Sequence, residues 1–190
     1  MTLSLYHATV PVFTHYLRCL RQTLSCAQAH AAQNAMPAGD LLGARLADGM
    51  FTLSQQVGSA CGFSMRACCP LFKMEVPDHS PAAGEAASFD GLQRQIDRTL
   101  DFLGGLPEAG WAAAEEAQIV TRAGFADRQF TGRAYVLEYA VPNFFFHLTM
   151  VHAILRHRGV PIGKQDFDGH HGYPEGFSFP APNGAASAGG

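Results

Sequence analysis

Charge is scarce in this chain of 190 residues: 15% are Asp, Glu, Lys or Arg, and 13 basic against 16 acidic side chains leave a formal net charge of −3. The basic residues are scattered and form no stripe, so the electrostatic footprint of a phosphate-neutralising surface is missing and nucleic acid is not an expected partner. Long apolar runs are also missing. Nowhere do about 18 consecutive apolar residues occur, and Met1-Thr2-Leu3-Ser4-Leu5-Tyr6-His7 has no basic region leading into an apolar one. No membrane partner is expected, and a reducing, cytoplasmic setting is the default. No Cys-x-x-Cys repeat is present. The five cysteines, Cys19, Cys26, Cys61, Cys68 and Cys69, are odd in number and lie on segments that read as helix, which suits reduced core thiols better than a disulfide framework.

What is abundant is apolar: 47% of residues, enough for one well-buried core at this length. Phe13, Leu17, Leu20, Leu24, Ala27 and Ala31 recur at alternating spacings of four and three, predicting a first helix of about seven turns. Pro11 is expected near its start, and the Gln33 to Gly39 stretch ends it. Asp48 is a candidate cap for a second helix, with an alternative start near Asp40, and Met50, Leu53, Val57, Cys61 and Met65 make its inward face before Pro70 stops it. From Pro70 to Ala87, the segment with Val76-Pro77-Asp78-His79-Ser80-Pro81 reads as a surface connection. Ser88 opens a third helix, with Phe89, Leu92, Ile96, Leu100 and Leu103 inward and Gly104-Gly105 closing it.

A short helical piece over Glu108 to Glu116 is followed by two short strands, Ile119 to Thr121 and Phe125 to Phe130, flanking Arg122-Ala123-Gly124. They predict a hairpin that must lean on the bundle, because an isolated one is marginal. Thr131 caps a fourth helix through Tyr135, Leu137, Phe144, Leu148, Val151 and Leu155 to Gly159. It is apolar on more than one face, as a central helix would be, and Pro142 should bend or divide it. The fold expected is all-α: an up-and-down four-helix bundle over residues 1–167, then an irregular tail rich in Gly, Pro, Ala and Ser over 168–190, with Tyr173, Phe177 and Phe179 able to pin it.

Candidate chemistry concentrates on the fourth helix. His147 and His157 differ by roughly 80° around its axis and about 15 Å along it, and His152 points about 140° from each, so one regular helix does not bring them to one metal ion. The pattern is not the His-x-x-x-His that sets two imidazoles on one face. Cys61, Cys68 and Cys69 read as core packing, and His170-His171 as a loop pair. No serine stands at a strand-to-helix elbow, and Gly159 to Lys164 lacks the flanking strand and helix of a phosphate-cradling loop.

Three stretches, Leu3-Ser4-Leu5-Tyr6 to Val10-Pro11-Val12-Phe13, Ala44-Arg45-Leu46-Ala47-Asp48-Gly49-Met50-Phe51, and Pro142-Asn143-Phe144-Phe145-Phe146-His147 on to Val160, occur in order. Ile162-Gly163-Lys164-Gln165-Asp166-Phe167 follows. Together they resemble the domain-of-unknown-function family 1993, within the DinB-like superfamily of helical bundles, over roughly Met1 to Asp168. The resemblance implies a bundle often found as a homodimer. Metal-binding members of the superfamily use one histidine near the start of the second helix and two on the fourth, spaced His-x-x-x-His, the last followed by Arg-Gly-Gln. Here His157-Arg158-Gly159 resembles the end of that motif, but Val160 replaces the glutamine, Ala153 stands four residues upstream, and the Asp48 region offers no histidine. His152 is out of phase by one residue, and a π-bulge would be needed to bring it round.

Three functional readings follow. The first is a small-molecule ligand held in an inter-helix pocket faced by Asp48, Tyr139, Asn143 and His147. The second is a divalent-metal enzyme, hydrolase or thiol transferase in type, holding zinc or nickel with His157 and His152 or His147. The third is a structural protein that dimerises through an uncovered helix face.

Overall fold

The computed structural model describes residues 4–78 and 84–174. Ser4 caps α1 (Leu5–Gln33), its Oγ accepting from the His7 N–H. The 29 residues make about eight turns. Pro11 falls inside this helix, not near its first turn. The carbonyl it leaves without a donor, four residues back at His7, belongs to an exposed residue, so water can satisfy it.

The alternative start near Asp40 is a separate short helix, α2 (Ala38–Leu42). The next long helix, α3 (Leu53–Cys68), is capped by Thr52 and not by Asp48. Thr52 Oγ1 accepts from the Gln55 N–H at 3.3 Å while Gln55 Oε1 accepts from the Thr52 N–H at 2.8 Å, a reciprocal capping box. Asp48 lies exposed in a turn whose next residue, Gly49, has φ of +79°, a conformation that a right-handed helix does not contain. A 3₁₀ turn over Cys69–Phe72, holding Pro70, ends the helix. Ser88 caps α4 (Phe89–Gly104) as expected, accepting from Gly91 N–H at 3.1 Å.

After α5 (Trp111–Ala114) come β1 (Gln118–Ala123) and β2 (Ala126–Thr131), antiparallel in the register Gln118↔Thr131 to Ala123↔Ala126. The turn is therefore Gly124-Phe125, one step beyond the place expected, with Gly124 at φ +60°. The hairpin leans on the bundle through buried Ile119 and through Phe130, whose ring stacks on Tyr139 at 5.7 Å.

Thr131 caps the fourth long helix, its Oγ1 accepting from Ala134 N–H at 3.3 Å. It runs without a break as α6 (Gly132–Ala134), a π-helical stretch Tyr135–Ala140, and α7 (Val141–His157). Gly132 is required here, because a Cβ would stand 2.0 Å from the Ala114 carbonyl oxygen. Pro142 neither breaks nor visibly divides the helix; the turn before it widens, with Val141 N–H bonding Val136 O, five residues back. A proline inside a helix withholds a donor and crowds the preceding carbonyl, and a wider turn relieves both. Gly159, at φ +83°, follows the end. A last helix, α8 (Lys164–Asp168), is too short to have shown a period in the sequence.

The result is an up-and-down four-helix bundle of α1, α3, α4 and α6–α7. α3 packs against α7 and α4, and α1 against α4, α8 and α7. Phe13, Leu17, Leu24, Leu53, Leu92, Ile96 and Phe144 are fully buried at its centre, with the Phe13 and Phe144 rings 4.7 Å apart. Cys61, Cys68 and Cys69 are buried and unbridged, as core thiols. Among the described residues no helix is long and apolar enough to cross a membrane.

At the far end of the chain Asp168 is buried, and its carboxylate accepts from the backbone N–H groups of His170 and His171. The His170 N–H is the largest cause of a carboxyl held down at about 2. His15 Nε2 donates to the Asp168 carbonyl at 2.6 Å and its ring stacks on His170, so the start of the tail is fastened to α1. Tyr173 stacks on His171. Phe177, Phe179 and the rest of the expected tail, like His79 to Pro81 of the surface connection, lie outside the described residues.

The two capping assignments differ in a measurable way. Thr52→Ala should cost about 1 kcal/mol in urea unfolding, and Asp48→Ala should stay within about 0.5 kcal/mol of wild type. Equal costs for the two would contradict the start of α3 described above.

Candidate functional site

Two helical stripes face each other across the seam between α3 and the fourth helix. Gln56, Ser59, Phe63 and Arg66 follow one another at spacings of three, four and three along α3. Tyr139, Asn143 and His147 follow at spacings of four along the other. Between them, bordered by Arg122 and Ala123 at the end of β1, by Gly124 of the hairpin turn and by Phe51 from the loop before α3, lies a cleft of about 490 Å³. Ser59, Phe63, Arg66, Tyr139, Asn143 and His147 line it.

His147 is the most enclosed polar group there, 8% exposed. Its Nδ1 donates to Gln56 Oε1 at 2.7 Å, an arrangement that puts the ring proton on Nδ1 and leaves Nε2 as an acceptor on the cleft. The Phe63 ring lies nearly parallel to the imidazole at 5.4 Å and the Phe51 ring at 6.1 Å. Burial, and then the nearby Arg66 charge, push its pKa down to about 4. At neutral pH this imidazole is therefore uncharged and poorly matched to proton transfer, which works best with a pKa near the operating pH. Asn143 Nδ2 donates to the Tyr139 carbonyl at 2.7 Å, which leaves its Oδ1 available. Arg66 lies with its guanidinium carbon 4.0 Å above the Phe63 ring, a cation–π contact, and its carbonyl accepts from Tyr135 Oη at 2.8 Å. Burial raises the Tyr135 hydroxyl to about 12.

Of the four residues expected to share a pocket, the structure brings Tyr139, Asn143 and His147 to one cleft and leaves Asp48 exposed outside it. The displacement follows from the cap: α3 begins at Leu53, and the Asp48-Gly49 turn lies a full turn of chain before it. Gln56, Ser59, Phe63, Arg66 and Arg122 were not singled out from the sequence. The first four had a visible signal, a stripe of mixed polar and aromatic residues at helical spacing; Arg122 had none, since its place depends on how the hairpin folds back.

Over its length the chain matches the model of a domain of unknown function, DUF1993, across residues 5–168. The chain belongs to the DUF1993 family. The crystal structure of a DinB family member protein from Shewanella denitrificans superimposes on this DUF1993 domain with a TM-score of 0.80 at 32% identity, covering 90% of this chain and 94% of that one. The domain thus has the DinB-like fold that the motifs implied. No curated protein matches the chain.

The superfamily's histidine pattern does not converge in this DUF1993 domain. His157 is exposed at the end of α7. His152 faces α1 and α8, beside Leu20, Thr23, Asp166 and Phe167, with its ring edge-on to Phe167 at 5.8 Å. Among the described residues its buried Nδ1 has no partner, and burial lowers its pKa. The π stretch at Tyr135–Ala140 precedes all three histidines of α7, so it does not alter their mutual phase. Among the described residues no three His, Cys, Asp or Glu side chains group closely enough to hold a metal ion. His157 with His152 or His147, together with Asp48 or a cysteine of α3, is therefore not assembled as the donor set of a metal centre among the described residues.

The buried imidazole makes stability depend on pH. The unfolded chain takes up the His147 proton near pH 6.5 and the folded one only near 4, so the unfolded state binds the extra proton between these values. Stability from this source is complete above about pH 6.5 and falls as the pH drops towards 4. His152 adds a loss of the same sign, so a comparison of variants isolates the effect. His147→Gln should shrink the stability lost between roughly pH 7 and pH 4.5 by about 1–3 kcal/mol. An unchanged loss in urea titrations would show that His147 is not the group responsible.

Proposed function

We propose that this protein binds a small molecule in the cleft between α3, the fourth helix and the hairpin turn. The observation that carries this reading is the composition of the lining: rings of Phe51, Phe63 and Tyr139 beside the polar ends of Ser59, Arg66, Asn143 and His147, around a space of about 490 Å³. That size is within the range of about 300–1,000 Å³ usual for ligand pockets, and an apolar wall with a few converging polar groups is their usual make-up. The neutral state of His147 favours recognition over acid–base chemistry. Its Nε2 can accept one hydrogen bond from a ligand, and Asn143 Oδ1 a second.

A purely structural, dimerising role would be favoured by an uncovered apolar stripe along one helix. The large exposed apolar side chains among the described residues are instead spread over the hairpin (Val120, Phe125), the loop before α3 (Leu46, Phe51), the segment after the 3₁₀ turn (Met74) and two separate points of the fourth helix (Leu137, Phe146). They do not form such a stripe.

A thermal-shift screen of small polar-headed aromatic and aliphatic metabolites tests this reading, run in parallel on Ser59→Trp, which fills the cleft. A ligand at about one hundred times its dissociation constant stabilises by about 2.7 kcal/mol, a rise of several degrees in Tm for a domain of this size. The rise is expected in wild type and not in Ser59→Trp. Absence of any hit, or hits that persist in the filled variant, would remove the cleft as the binding site.

A further inference from the structure

Several arginines around the bundle have described polar partners. Arg21 pairs with Asp97 at 2.8 Å, Arg133 with Glu115, and Arg122 with Asp127 at 3.1 Å while its Nε donates to the Gly124 carbonyl; Arg156 and Arg158 donate to the Ile162 and Asp40 carbonyls. Arg66 differs from these. It is half-buried, it lines the cleft, and among the described residues no carboxylate forms an ion pair with it. Its one described side-chain contact is the Phe63 face beneath it.

This exception occurs in a chain with more acids than bases, so a carboxylate is not in short supply. The cleft lining holds two guanidinium groups, Arg66 and Arg122, and no Asp or Glu. A half-buried guanidinium loses hydration that an anion can restore, and its planar fork matches the two oxygens of a carboxylate. Next to it the cleft wall is aromatic: the Phe63 and Phe51 rings lie at 22° and 14° to the imidazole of His147, nearly parallel to it, and both line the cleft, a surface suited to a flat group. Beyond the rings two acceptors face the cleft: His147 Nε2, because Nδ1 is committed to Gln56, and Asn143 Oδ1, whose amide nitrogen gives one of its two N–H groups to the Tyr139 carbonyl.

We propose that the cleft selects a flat aromatic monocarboxylate, its carboxylate on the Arg66 guanidinium, its ring against Phe51 and Phe63, and a hydroxyl or amino donor directed at His147 and Asn143. This rests on the small-molecule reading above and names the class of ligand. Arg66 supplies the charge selection because its fork is free, whereas that of Arg122 is largely occupied by Asp127 and Gly124. Stacked on Phe63, the Arg66 side chain is held in place before the ligand arrives, so little order has to be lost on binding.

The test is calorimetric titration of benzoate, phenylacetate, cinnamate and para-hydroxybenzoate, each beside its neutral carboxamide, into wild type, Arg66→Gln, Arg66→Lys, Arg122→Gln and Ser59→Trp. At least one carboxylate should bind wild type tenfold or more tightly than its amide. Arg66→Gln should abolish that preference while leaving the amide within about twofold, Arg66→Lys should keep part of it, and Arg122→Gln should change it by less than about threefold. Circular dichroism confirms that each variant is folded; if Arg66→Gln does not fold, the Lys variant and the carboxylate-to-amide ratio in wild type decide. Carboxylates and amides binding equally, with both lost in Ser59→Trp, would overturn the anion selection and leave the small-molecule reading standing. Binding by none of the eight compounds would overturn both.

Discussion

Gln56 and His147 meet at 2.7 Å across the seam where α3 packs on the fourth helix, and both are buried. Either one alone would be a stranded polar group in a core, at a cost of about 1–3 kcal/mol. Paired, they set the axial register of two helices whose other contacts are largely non-directional. Ala60 and Ala67 lie on the same face of α3 as Gln56 and Phe63, at spacings of four, three and four, and are fully buried. Small side chains at such positions allow helices to approach closely. The hydrogen bond then also determines which imidazole nitrogen faces the cleft, and so what kind of group the cleft can receive. Packing and recognition depend on one contact.

The DinB-like scaffold is retained here while the residues that give a metal centre to other members of that superfamily are not assembled. His152 turns towards α1 and α8, His157 towards solvent, and the loop before α3 contributes Asp48 to the surface. A bundle can be kept while its site is exchanged, because the core stripes and the site stripes occupy different faces of the same helices. On α3 the residues Leu53, Val57 and Cys61 serve the first purpose, and Ser59, Phe63 and Arg66 the second.

The π stretch before Pro142 belongs to the same economy of faces. It keeps the fourth helix continuous, and it sets where Tyr139 stands relative to Asn143 and to the hairpin residue Phe130. In the sequence Pro142 announced a disturbance but not its form. Whether a proline kinks a helix, divides it or widens one turn depends on what packs around it, here α3, α1 and the hairpin.

Four helices, their caps at Ser88 and Thr131, the hairpin, and the placement of Tyr139, Asn143 and His147 on one face were all determined by the sequence itself. Each of these rests on local physics: a 3.6-residue period, a hydroxyl over an open helix end, a glycine at a turn. The family was legible on the same footing, as motifs in order. What only the tertiary structure decided is whatever depends on residues distant in the chain. Asp48 and Thr52 were both competent caps, and the packing of α2 and the loop chose Thr52. Gln56 and His147 lie 91 residues apart, and Arg122 reaches the cleft only because a hairpin folds back over it. No local rule carries such information, since it comes from burying several amphipathic faces at once. A site shared by two helices and a turn exists only after that burial is complete.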